Sequence, residues 1–338
     1  MASSDELPFS PSLLAENVPL PLDASLHTCA ELPRSPQRPP GAISKRLPVL
    51  LTLLLGALAF LLASSVARNS DLWMHLANGR LLARGEYSFH TDLPFSPALA
   101  GSHSWLYDLI SYGLYSMFGG PGLVLAKAFL VVALAVLLLR LSRSGSGWWM
   151  AALCTALALL AMSVRLLLQP ATLSYFFLAG LLWFLWNRGT DNRSGHPQEA
   201  PLRWGLRFLW PLFVLFVVWV NVDGWFLLGL GVVALVWLGQ VLDFSRQGDK
   251  PHFSLSPYLV VPLSFLLLAA ACLLNPAHLY AFVPPPELGF FGDAGTPLSP
   301  FQRAYFADLG LSPAGLAYFP LLGLRLFSFF LPPSSGPQ

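Results

Sequence analysis

Between Ser70 and Leu109 the chain reads SDLWMHLANGRLLARGEYSFHTDLPFSPALAGSHSWLYDL, which gathers Asp71, His75, Glu86, His90, Asp92, His103 and Asp108 in one short stretch. Ionisable groups are scarce elsewhere, since only 11% of the 338 residues are charged. Carboxylates and imidazoles in such company suit proton transfer: an ionised carboxylate takes the proton of a hydroxyl while an imidazole orients the site. Read as a helix, 71–84 puts Asp71, His75 and Asn78 at i, i+4 and i+7 on one face, leaving Leu72, Trp73, Leu76, Ala77 and Ala83 to bury elsewhere. Plain structural readings stand beside the catalytic ones. An aspartate at a helix start is also an N-cap, and Asp92, just before Leu93 and Pro94, has the chemistry of a turn.

Metal ligation is the other chemistry these residue types allow. His75, His90 and His103 are separated by 15 and 13 residues, with no close histidine pair and no HExxH, so the spacing carries no zinc signature. Asp71 and Asp92 could share a divalent cation, but two carboxylates do not specify one. No P-loop, GxGxxG, GxSxG or CxxC pair occurs. The three cysteines, Cys29, Cys154 and Cys272, read as packing thiols with neither a disulfide nor a metal.

What must position these groups is a membrane bundle. The composition is 55% hydrophobic with mean hydropathy +0.61, whereas soluble domains carry about 25% charged residues. That excludes a soluble enzyme. A net charge of +2 and the lack of a basic-aromatic patch point away from nucleic acid. The expected fold is all-α: a polytopic helix bundle of about eight spans at 47–66, 121–142, 147–164, 171–187, 207–222, 224–242, 257–275 and 314–331. GGPG at 119–122 reads as a break before the second span. Residues 103–118 are apolar too, but Ser104, Asp108, Ser111 and Tyr115 form a continuous polar face. They are therefore read, with 71–84, as one of two interfacial helices. Residues 1–46, rich in proline and serine, read as a disordered tail before an uncleaved signal anchor, and 332–338 as a short C-terminal tail.

Orientation follows from the basic residues. With the N-terminus in the cytoplasm, twelve lysines and arginines fall in cytoplasmic segments and five outside, while Lys127 and Arg325 lie within spans. The loop 68–120 is then external. So are the stretches holding Arg165, Gln169, Asn221 and Asp223, each of which also has a plain reading as a polar residue at a membrane boundary. Arg165 could pair with a lipid phosphate, because guanidinium matches phosphate oxygens in a bidentate fork. His103 and Trp105 complete the substrate-contact candidates on this face.

The stretch from Ser70 to Ala128 resembles the N-terminal part of bacterial polytopic membrane proteins with a GT-C glycosyltransferase-like layout. Asp71, Trp73, His75, Gly79, Asp92, Phe95, Ser96, Trp105 and Leu106 fit their pattern, as do LLLQPATLSY (166–175), WVNVDGWFLLGL (219–230) and LLNPAHLY (273–280). Two departures stand out: Gln169 and Asp223 replace the arginine and histidine usual there. Arg165, one turn earlier, would have to take the place of that arginine. The resemblance implies a membrane transferase that moves a sugar from a polyprenyl-phosphate carrier to an acceptor outside the cytoplasm, with inversion. Asp71 would be the base, and His75 and Asp92 would order the site. Arg165, Gln169, Asn221, Asp223, His103 and Trp105 would contact substrate. The expected partners are the lipid-linked sugar and membrane lipids. The competing reading is a non-catalytic membrane protein, such as a translocase or assembly component for lipid-linked saccharides. It would call for ionisable groups at mid-membrane depth and internal repeats.

Overall fold

The computed structural model describes residues 42–65, 71–86, 104–143, 147–191, 206–247, 257–284 and 312–330. The chain divides into two units, Met1–Ser44 and Lys45–Gln338, and the helical bundle belongs to the second. Every regular element among the described residues is helical. In order they are α1 (Ala42–Ala63), α2 (Asp71–Ala83), α3 (Trp105–Ser142), α4 (Trp148–Met162), α5 (Pro170–Asp191), α6 (Leu206–Val222), α7 (Phe226–Gln247), α8 (Pro257–Ala271) and α9 (Pro313–Phe330). Single 3-10 turns lie at Ser163–Arg165 and His278–Phe282. Each apolar stretch of the sequence thus holds a helix.

Within the described residues, three helical segments are long and apolar enough to cross a membrane: Arg46–Ala63, Trp105–Ser142 and Trp148–Arg165. The apolar segments of α6 to α9 are shorter, at 10–17 residues. Large apolar side chains also face outward along the bundle, among them Leu53, Leu61, Phe129, Trp149, Leu235 and Leu266. A soluble monomer does not tolerate so much contiguous apolar surface. The described chain fits an integral membrane protein.

Small residues fill the contact among α1, α3 and α4. Ala59, Ala63, Ala128 and Ala135 are buried there with Val131, Leu159 and Leu166, and Ala151 and Ala152 pack with Leu51, Leu55 and Leu139. Lipid tails are as apolar as leucine, so helices in a bilayer gain by close van der Waals approach, which small side chains permit. The second core joins α5 to α8 around Phe216, Trp219, Phe226 and Leu268. Phe216 and Trp219 stack at 5.9 Å, and Gly229 of α7 faces them so closely that a Cβ there would meet Trp219 Cζ3 at 2.5 Å.

Helix α3 departs from a simple span. Its 38 residues would extend about 57 Å at 1.5 Å per residue, nearly twice the ~30 Å hydrocarbon core. The helix breaks at Gly119, whose φ of 65° and ψ of −164° are non-helical, and Pro121 follows. Glycine adopts such a conformation without the steric cost of a side chain. The GGPG break thus divides α3 into an arm, Trp105 to Phe118, and a longer segment up to Ser142.

The arm corrects two expectations. The polar face of 103–118 is not wholly outward: Asp108 and Ser111 are buried while Tyr115 is exposed, and the arm packs along α2. On α2, Leu72 and Leu76 turn inward as expected, but Trp73, Ala77 and Ala83 are exposed and Asn78 is buried. The burying face runs through Leu72, Leu76 and Gly79 and takes Asn78 with it.

Gly79 makes that contact possible. A Cβ added to it would land on the Asp108 carbonyl oxygen and, at 2.6 Å, on Tyr112 Cβ. Backbone cannot swing aside as a side chain can, so α2 and the arm would have to separate. Gly79→Ala is expected to destabilise the protein by about 1–3 kcal/mol, the usual cost of overpacking. Gly113→Ala is the matched control, because a Cβ at Gly113 meets nothing within 4 Å and alanine favours helix. Thermal unfolding in detergent should fall for the first variant and hold or rise for the second; equal midpoints would remove Gly79 from the packing account.

Candidate functional site

The polar residues of the arm, α2 and the segment before α5 meet at one end of the bundle. His75 Nδ1 and Asp108 Oδ1 are 2.6 Å apart. With Asp108 as the carboxylate, Nδ1 carries the proton and donates. Asp108 is fully buried and the His75 side chain is 12% exposed. Tyr107, adjacent to Asp108 in sequence, meets the imidazole edge-on at 5.1 Å between ring centres. The imidazole is thereby held from two sides.

Asp71 is the first residue of α2, and it is exposed. A helix N-terminus favours a negative charge there. Gln169 Nε2 donates to its Oδ2 at 3.4 Å, a long bond. Gln169 itself stands in the non-helical stretch between the Ser163–Arg165 turn and α5. Proline is preorganised for the first helical position, and α5 begins at Pro170. Thr172 fastens the entry: its hydroxyl donates to Leu167 O at 2.7 Å and its amide to Gln169 O at 3.1 Å.

Below Gln169 lies a cavity of about 190 Å³ between α3 and this stretch. Most of its wall is aliphatic, including Leu123, Leu130, Leu167, Leu168 and Leu173. Its polar lining includes Tyr107, Ser111, Lys127 and Gln169. Gln169 thus borders both the exposed Asp71 carboxylate and an apolar cavity inside the bundle.

Two further polar joints hold the same end together. Trp105 Nε1 donates to Asn221 Oδ1 at 2.7 Å, tying the start of the arm to the end of α6. Asn221 Nδ2 in turn donates to Val217 O at 2.7 Å and Leu274 O at 3.1 Å. Asn275 repeats the device, giving Nδ2 to Val220 O at 2.7 Å and accepting from the Ala277 amide on Oδ1 at 2.7 Å. At the turn between α6 and α7, Ser174 Oγ donates to Asp223 Oδ2 at 2.5 Å and accepts from Trp219 Nε1 at 2.8 Å.

No family model matches this chain, and no curated protein and no solved structure does either.

The candidates read from the sequence therefore sort by geometry. Asp71, His75 and Gln169 come together with the buried Asp108 and the cavity. Trp105 and Asn221 pair with each other, and Asp223 pairs with Ser174; these contacts join helices. Arg165 is half-buried in its 3-10 turn and is not part of the cavity wall. His90, Asp92 and His103 fall outside the described residues. Among the described residues no three of His, Cys, Asp and Glu converge as metal ligands. Cys154 and Cys272 are free thiols. Sequence reasoning does not single out Asp108 as a partner for His75, Lys127 as a cavity residue or Asn275 as a joint. The signal for Asp108 is its place on the polar face of the arm.

Proposed function

We propose that this chain is a polytopic membrane glycosyltransferase of GT-C type. In this reading it moves a sugar from a polyprenyl-phosphate carrier to an extracytoplasmic acceptor with inversion. The observation that carries the proposal is the double role of Gln169, which touches an exposed carboxylate on one side and an apolar cavity on the other. A reaction between a lipid-borne donor and a water-borne acceptor needs both surroundings within a few ångströms of each other.

The acceptor hydroxyl oxygen attacks the anomeric carbon from the face opposite the lipid phosphate. The new carbon–oxygen bond forms as the bond to the phosphate oxygen breaks, and the electron pair leaves on the phosphate. Asp71 takes the hydroxyl proton on a carboxylate oxygen. Cationic or hydrogen-bonding groups near the departing oxygen stabilise its charge. His75, held by Asp108, orders the face of α2 that carries Asp71. Asp92 and His103 are proposed to act from the same outer loop. The test is sugar transfer by purified protein in lipid, across a panel of polyprenyl-phosphate sugars.

One observation favours the competing reading of a lipid-linked-saccharide translocase: Lys127 is an ionisable group buried within the apolar segment of α3. Movement of the intact lipid-linked sugar across the bilayer, without transfer, would decide for it.

The topology belongs to the proposal: eight spans in a bacterial cytoplasmic membrane, N-terminus inside, 68–120 outside. Exposed Trp149, Trp186 and Trp210 lie near those ends of α4, α5 and α6 that would be cytoplasmic, where aromatic belts form. In a background lacking the native cysteines, a cysteine at Ser88 should react with an impermeant thiol reagent in intact cells. One at Gly195 should react only after lysis. The opposite pattern would overturn the orientation.

A further inference from the structure

Lys127 is only 4% exposed, and no counter-ion for its charge lies among the described residues. Its Nζ donates to Ser65 O at 3.2 Å, at the end of α1. An ammonium has three donors, and burying an uncompensated charge in an apolar setting is costly. The Tyr107 hydroxyl, on the same cavity, is a second buried donor. Ser111, one turn along, is its side-chain neighbour on that wall. Two buried donors thus line one cavity whose remaining wall is mostly leucine.

We propose that this cavity binds the phosphate group of an anionic lipid, with Lys127 and Tyr107 donating to the phosphate oxygens and the lipid chain leaving along the apolar wall. The shape and chemistry of the site agree. Its volume of about 190 Å³ far exceeds the ~10–15 Å³ that a single water needs, so it has room for a head group. Ile110 lines the cavity and is 48% exposed, so the cavity reaches the outer apolar surface of the arm, where a chain would pass into the bilayer. A free phosphate ion would satisfy the donors but not the leucine wall. A neutral lipid would satisfy the wall but not Lys127. The inference deepens the transferase reading, because it moves the phosphate contact from Arg165 to Lys127. Its evidence, however, is binding and not transfer.

The experiment measures binding to the full-length protein in nanodiscs. The probes are a polyprenyl monophosphate, the same polyprenol without phosphate, phosphatidic acid and inorganic phosphate. Expected results are clear binding of the polyprenyl phosphate, at least about tenfold weaker binding of the polyprenol, and a loss of about tenfold to a hundredfold in Lys127→Met. Lys127→Arg should keep most of the affinity and Tyr107→Phe should lose a smaller part. If Lys127→Met does not fold, Leu173→Trp, which fills the cavity while leaving the ammonium in place, should block binding instead. Phosphatidic acid binding that also needs Lys127 supports the site and widens its lipid class. Equal binding of polyprenol and polyprenyl phosphate, indifference to Lys127→Met, or competition by inorganic phosphate as effective as by the lipid would each overturn it. The two proposals fail separately. Lipid binding through Lys127 with no sugar transfer removes the enzyme and keeps the site. Transfer by a protein whose lipid binding ignores Lys127 removes the site and keeps the enzyme.

Discussion

Asp71→Asn should lower sugar transfer by about 10²–10⁴-fold, the usual worth of a general base, while the protein stays folded. The side chain is exposed and its bond from Gln169 is long at 3.4 Å. Asparagine keeps the size and an acceptor oxygen for Gln169, but it cannot take a proton from a hydroxyl at neutral pH. Surface changes of this kind move stability by about 0.5 kcal/mol or less. The separation of activity from stability is therefore the signature of the base. Initial rates with a polyprenyl-phosphate-sugar donor, alongside thermal unfolding of the same preparations, make the comparison. Asp71→Glu should recover part of the rate. If Asp71→Asn transfers sugar as fast as the unaltered protein, Asp71 has no part in the chemistry and Asp108 or Asp223 becomes the next carboxylate to test.

Much of the architecture is legible in the sequence because hydrophobicity and backbone chemistry act locally. The eight apolar stretches each hold a helix, and the GGPG run marks the break that Gly119 makes in α3. Pro170 opens α5, where a missing amide proton costs nothing. What cannot be read is which surface each face meets. Ser104, Asp108, Ser111 and Tyr115 recur with a helical period, which says that they share a face and nothing about its neighbour. In the protein Asp108 turns inward to His75, 33 residues away in sequence. Inside an apolar bundle polar side chains pair with each other, since lipid offers them no hydrogen bonds. The same holds for Trp105 with Asn221 and Ser174 with Asp223, pairs separated by 116 and 49 residues. Trp73 reads as buried on its apolarity alone, although an indole is also at home on an outer interface. Gly79 gives no sign of its role, because a close approach belongs to two helices at once.

His75→Ala and Asp108→Ala should each destabilise the protein strongly, and the double variant should lose much less than their sum. The pair is short, at 2.6 Å, and Asp108 is wholly buried. Removing one member of a buried pair typically costs about 3–5 kcal/mol, because the other is left without its compensation. The 12% exposure of the His75 side chain places His75→Ala toward the lower end. A direct hydrogen-bonded pair should show a coupling energy of about 1–3 kcal/mol in a double-mutant cycle. Asp108→Asn retains an acceptor for Nδ1–H, so it should cost less than Asp108→Ala. This pattern separates support from chemistry. If His75 acts only by holding α2 against the arm, Asp108→Asn should restore both stability and most of the transfer rate. If the imidazole also handles a proton, Asp108→Asn should restore stability while transfer stays depressed, since a neutral amide no longer stabilises an imidazolium. Additive losses in the cycle, with no coupling, would mean that the 2.6 Å contact contributes nothing to the stability of the fold, and His75 would then have to be placed by Tyr107 and the α2 backbone alone.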